Sequence, residues 1–205
     1  MNLHIDKKNT ALVLCDFDND VVHPDGKFAS WGLPAEVARR NVIANTKQLL
    51  HAARRAKLPV IHVSGVTRPG LAGSPRNAAV WQALAAMGAL LEGTWGAQLH
   101  DELKPEDGEM VVIKRRVSAF YHSDLQLALR DVGATAIILC GVATNYVVEG
   151  TARDAADAGF VVLIAEDCCA TVSEAVHQAS IQAVGMLTTV TSSGEIAKAL
   201  HSCGE

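Results

Sequence analysis

Two chemically capable side chains and one inert residue, each at the end of an apolar run, are where this chain could do chemistry. Asp16 opens the segment Asp16-Phe17-Asp18-Asn19-Asp20, and Lys114 closes Met110-Val111-Val112-Ile113-Lys114. A third apolar run leads through Gly141 into Val142-Ala143-Thr144-Asn145-Tyr146-Val147, where a helix is expected to begin. The turn from a strand into a helix N-terminus is where an α/β enzyme presents a nucleophile, because the free N–H groups there stabilise negative charge. Val147 stands at that place and has no atom to attack with. Asp16 read alone is a turn residue beside Asp18 and Asn19, and Lys114 read alone is a surface cation beside Arg115 and Arg116. As a pair at neighbouring strand ends they become an acid–base couple, each tuning the other's proton affinity.

The elements that must position these residues alternate regularly. Strands are expected at residues 11–16, 59–64, 110–114, 135–140, 160–165 and 186–190, nearly continuous in Val, Ile and Leu, as in a parallel sheet buried on both faces. Helices are expected at 36–57, 77–87, 124–132, 145–158, 174–184 and 194–201. In the first of these, Val42, Thr46, Leu49, Leu50 and Ala53 form one stripe. Such alternation predicts a single α/β domain over residues 1–205, a doubly wound (Rossmann-like), mostly parallel six-stranded sheet with helices on both faces. In that architecture the site lies beyond the carboxyl ends of the strands. Residues 66–105 are less regular and sit where a lid or a substrate wall would be.

Composition narrows the function. The chain has 205 residues, of which 49% are hydrophobic and 20% charged, with a formal net charge of −4. That composition predicts a packed core and argues against nucleic acid as a partner. No apolar stretch approaches a membrane span and the N-terminus lacks a signal-peptide pattern, so a cytoplasmic protein is expected. The five cysteines, Cys15, Cys140, Cys168, Cys169 and Cys203, show neither a C-x-x-C pair nor a zinc spacing, which fits reduced thiols. Cys140 lies in the strand before the turn, and alternation points Cys15 away from Asp16. Cys168 and Cys169 read as a buried pair, and Cys203 as a tail residue.

With these residues in place, the chain resembles the isochorismatase-like hydrolase superfamily, the cysteine hydrolase family, as a variant without its cysteine. The family's marks are D-x-x-N-D, K-x-R-x-S-A-F and G-V-A-T-N-x-C-V-x-x-T-A-R-D-A. They match Asp16 to Asp20, Lys114 to Phe120, and Gly141 to Ala155, with Val147 in place of Cys. His23-Pro24-Asp25-Gly26 and Glu166 to Ala170 are similar to family segments too, so the likeness spans nearly the whole chain. It implies Asp16 as general acid/base, Lys114 as its electrostatic support, and backbone N–H groups around Ala143 and Val147 as an oxyanion hole, with a non-proline cis bond at Val142–Ala143. Asn19, Trp95, Arg116, Phe120, Tyr121 and Tyr146 are the expected substrate-binding residues. Trp31 is a further aromatic candidate, and Arg68 a further cation for a substrate carboxylate.

Family amidases attack with the Cys thiolate; family isochorismatases lack it and hydrolyse a vinyl ether with an acidic Asp and water. The reading is therefore a hydrolase of a small, anionic molecule that uses Asp16, Lys114 and water. Two alternatives stand beside it: an amide or ureido amidohydrolase working by water attack, and an inactive binding homologue. Retention of both Asp16 and Lys114 favours an enzyme. Family nicotinamidases carry a metal site with an Asp-x-His pattern after the second strand. The stretch from His62 to Gly70 has one His and no carboxylate, so no metal and no cofactor are expected, and His62 reads as a satisfied strand residue. His23 and His122 fall near the site with no required role. The resemblance also implies a homodimer or homotetramer.

Overall fold

The protein is described from a computed structural model covering residues 3–202, so Cys203 lies outside the described residues. Six parallel strands form one sheet: β1 (Thr10–Cys15), β2 (Val60–Gly65), β3 (Met110–Lys114), β4 (Ala136–Val142), β5 (Val161–Ala170) and β6 (Thr189–Thr191), in the order β3-β2-β1-β4-β5-β6. The chain leaves β1 toward β2 and β3 on one side and resumes at β4 on the other. The sheet is thus wound in two directions from the β1–β4 boundary, the switch point where such folds place ligands.

Apolar patterning explains the layers. All six residues of β1 and of β2 are buried, as central strands covered on both faces must be. β3 departs from the expected two-sided burial: it is an edge strand with Val111 and Ile113 exposed and Val112 and Lys114 buried. The helices are α1 (Asn19–Val22), α2 (Leu33–Arg39), α3 (Val42–Arg55), α4 (Ala79–Met87), α5 (Leu125–Asp131), α6 (Glu149–Asp157), α7 (Glu174–Val184) and α8 (Ser193–Ser202). α3 packs on α8 and β5, while α6 and α7 pack on each other and on β5. The expected stripe of α3 (Val42, Thr46, Leu49, Leu50, Ala53) is buried throughout.

Three expectations need correction. The helix read over 36–57 is two, because Asn41 takes a left-handed backbone (φ 55°) that ends one helix and opens the next. The final strand starts at Thr189 rather than 186, with Met186 and Leu187 exposed ahead of it. The helix read from 145 begins as a single π turn, Thr144–Val148, before α6. Such turns change the helical phase locally and are frequent at functional sites.

Candidate active site

Asp16 follows β1 immediately, in the left-handed region (φ 56°), a costly conformation for a side-chain-bearing residue and one that collects at functional sites. Its Oδ2 meets Lys114 Nζ at 2.8 Å, and both residues are buried. Asp16 follows β1 and Lys114 ends β3, with β2 between the two strands. The residue of β2 in register with Lys114 is Gly65, so no side chain blocks the ammonium from reaching across. A Cβ at position 65 would lie 3.3 Å from Asp16 Oδ1. Lys114 Nζ also donates to the Arg116 carbonyl at 3.0 Å. Asp16 Oδ1 is buried and has no hydrogen-bond partner among the described residues. Burial raises the Asp16 proton affinity against the lowering effect of Lys114. A carboxyl held between these two opposing effects is suited to moving a proton.

A second carboxyl supports the first. Asp18 is fully buried, accepts a short hydrogen bond from the Ser64 hydroxyl, and accepts from Gly65 N at 3.2 Å. Burial first, and the Asp16 charge next, push it up to about 8. Asp20 accepts from Leu90 N at 2.7 Å and Lys27 N at 3.2 Å. The acidic segment thus clamps the end of β2 and the 88–90 turn around Asp16.

Asp16, Lys114, Val142, Ala143 and Val147 all border one cavity of about 100 Å³. The Val142–Ala143 peptide is cis, as the resemblance implies. Val147 projects from the π turn into the cavity wall and is 1% exposed. The turn itself is fastened from behind. Thr144 Oγ1 lies 2.8 Å from His177 Nδ1, His177 Nε2 lies 3.3 Å from Glu166 Oε2, and Arg40 pairs with that same oxygen at 2.7 Å. Burial, then the Arg40 charge, lower the His177 proton affinity, so the ring is neutral. A proton on Nε2 donates to Glu166 and leaves Nδ1 to accept the Thr144 hydroxyl. Thr171 Oγ1 holds the next residue, donating to Asn145 Oδ1 at 2.5 Å.

The expected substrate-binding residues divide. Arg116 and Tyr146 line the cavity, and so does Trp31. Asn19, Trp95, Phe120 and Tyr121 do not. Asn19 is buried, its amide donating to Trp95 O at 3.0 Å, which ties down the 95–98 segment. Trp95 stacks edge-on against His23, Phe120 packs on Phe160, and Tyr121 stands exposed beside His122. Arg68 pairs with Glu92 at the surface. His62 is buried with Nε2 3.0 Å from Glu109 Oε2. Among the described residues, no cluster of three His, Cys, Asp or Glu side chains is arranged to hold a metal ion. Cys15, Cys140, Cys168 and Cys169 are buried, and burial raises every one of these thiols, Cys169 to about 12. None of them borders the cavity.

Sequence reasoning missed Ser64, Gly65, Trp81, Leu84, Leu90 and His177 as parts of the site or its support. Asp18 carried a signal in its two-residue spacing from Asp16, while the others declare themselves only once strands are placed side by side.

A model of the isochorismatase domain matches residues 10–195, nearly the whole described chain. The chain belongs to the isochorismatase family. Relatives include the ureidoacrylate amidohydrolase RutB of Caulobacter segnis, 34% identical over 73% of this chain and 67% of that one. The isochorismatase family protein YecD of Escherichia coli O157:H7 is 32% identical over 87% of this chain and 89% of its own length. A cysteine hydrolase from Pseudomonas syringae pv. phaseolicola superposes with a TM-score of 0.85 over 98% of this chain and 96% of that one, at 24% identity, which establishes the shared isochorismatase-like fold.

Proposed function

We propose that this isochorismatase-like hydrolase cleaves a small molecule with water, Asp16 moving the proton and Lys114 holding the charge, without a covalent cysteine intermediate. The observation that carries the reading is the cavity floor: a buried carboxylate with one oxygen on Lys114 and the other unpartnered, next to a valine where the family places its thiol. For a C–N bond, the bond class suggested by relatives named ureidoacrylate amidohydrolase, the steps balance as follows. Asp16 takes a proton from water, and the oxygen adds to the carbonyl carbon. Asp16 returns the proton to the leaving nitrogen, and the C–N bond breaks to give acid and amine. Backbone N–H groups of the 143–147 turn stabilise the oxyanion. Lys114 offsets part of the cost that burial places on the ionised form of Asp16.

Hydrolysis of a vinyl ether, with protonated Asp16 as acid, is the second reading, supported by the raised proton affinity of Asp16. The protein is further read as a cytoplasmic homodimer or homotetramer acting on a free small molecule. Light scattering on the purified protein tests the assembly. No helix among the described residues is long and apolar enough to cross a membrane.

The test is a turnover screen across amides, ureido acids and vinyl ethers before and after treatment with iodoacetamide. The expected result is unchanged activity, because only an accessible thiolate alkylates readily and these thiols are buried and protonated. Stoichiometric labelling of Cys15 or Cys140 with matching loss of activity would mean that a displaced cysteine does the chemistry.

A further inference from the structure

The cavity offers very little polar chemistry to a ligand beyond Asp16. Thr67 Oγ1 donates to Ala89 O at 2.7 Å, and Thr171 Oγ1 is spent on Asn145. The Lys114 ammonium is neutralised by Asp16. Arg116 is turned to the neighbouring loop, its Nη1 donating to Gly73 O and to Arg115 O. Most of the rest of the wall is apolar, Phe28, Trp81, Leu84, Leu90, Val117 and Val147 among others, with Tyr146 as a further lining residue. Trp81, Leu84 and Leu90 come from the irregular segment after β2, so that segment supplies a hydrophobic wall rather than charged recognition. Asp16 Oδ1 is left as a buried acceptor facing Gly65.

A charged group placed against Phe28, Leu84 and Leu90 would lose its hydration and gain no partner, a large penalty. An apolar group there gains by leaving water. At about 100 Å³ the cavity admits a group approaching an aromatic ring in size, since engineered apolar cavities of about 150 Å³ hold benzene. We propose that this site is selective for an uncharged substrate whose non-reacting end is a compact apolar group, with the N–H or attacking water as donor to Asp16 Oδ1. This inference rests on the hydrolase reading for its reactive end, and it replaces the anionic substrate expected from the sequence.

The test uses matched amides: isobutyramide and cyclopentanecarboxamide against succinamate, which presents the same primary amide on a charged tail. Hydrolysis by the wild-type protein is measured together with binding of each amide to the wild-type protein by calorimetry. The expected result is a kcat/KM at least about ten-fold higher for the apolar amides, and calorimetric binding of those amides alone. If succinamate is hydrolysed as well as or better than the apolar amides, the substrate class is wrong while the hydrolase reading stands. If the apolar amides bind and succinamate does not, yet nothing is hydrolysed, the substrate class stands and the amidohydrolase chemistry fails. Binding of neither kind of amide overturns the proposal.

Discussion

Asp16 differs from an ordinary strand-end carboxylate by how little it can lean on. One oxygen has Lys114, and the other is buried beside Gly65 with no hydrogen-bond partner among the described residues. Asp18, two residues on, is the opposite case: fully engaged, yet so buried that its proton is retained to about pH 8. That retention has a sign for stability. The unfolded chain releases this proton near the ordinary value of 3.8, so the stability contributed below that pH is lost progressively as pH rises toward about 8. Asp18→Asn removes the titration. Its unfolding free energy, from urea titrations, should gain on that of the wild type between pH 5 and pH 8, by at most about 1.4 kcal/mol per pH unit. A difference that is constant over this range, or that shrinks, would show that Asp18 is ionised in the folded protein. At this scale Asp16, Lys114 and Val147 were legible because each ends an apolar run in a recognisable motif. Asp18 read as a turn residue: its two-residue spacing puts it on the same side as Asp16, but its partners Ser64 and Gly65 are set only when β2 lies alongside.

The elements bring distant residues together through absence of bulk as much as through contact. Lys114 reaches Asp16 because β2 ends in glycine between them, so Gly65→Ala should crowd Asp16 Oδ1, where the new Cβ would sit 3.3 Å away. Displacement of an acid–base group by a fraction of an ångström predicts a fall in kcat of between about 10- and 100-fold with the fold intact. Unchanged kinetics with an unchanged circular dichroism spectrum would remove Gly65 from the account. The π turn depends on α7 in a different way. His177→Ala leaves the Thr144 hydroxyl without its partner and opens the core beneath it, with an expected cost of about 2 kcal/mol in urea unfolding. A cost near zero would mean that the turn is held elsewhere. Element types were readable from periodicity, but their ends were not. The break at Asn41 needs a left-handed residue that many asparagines do not adopt, and the π turn leaves no mark on an apolar pattern. The shortness of β6 was hidden because Met186 and Leu187, both exposed, look in sequence like strand residues.

The whole molecule places chemistry at the point where the sheet changes direction, with Asp16 after β1 and the 142–147 turn after β4 on adjacent strands. That arrangement follows from six apolar runs and the short connections between them, which is why fold class and family were accessible from sequence. The character of the cavity was not, because its wall is drawn from α4 and the turns after β2, whose docking depends on Asp20 and on the packing of Trp81. On the proposed mechanism Asp16 is the centre of the reaction and the thiols are bystanders. The most direct test is the kcat of Asp16→Asn on the best substrate from the amide, ureido and vinyl ether screen, with melting temperature as the control for folding. The expected loss is about 10²- to 10⁴-fold, the usual contribution of a general acid–base group, in a protein that still folds at the assay temperature although Lys114 has lost its counter-charge. Activity within a few-fold of wild type in that folded variant would contradict it.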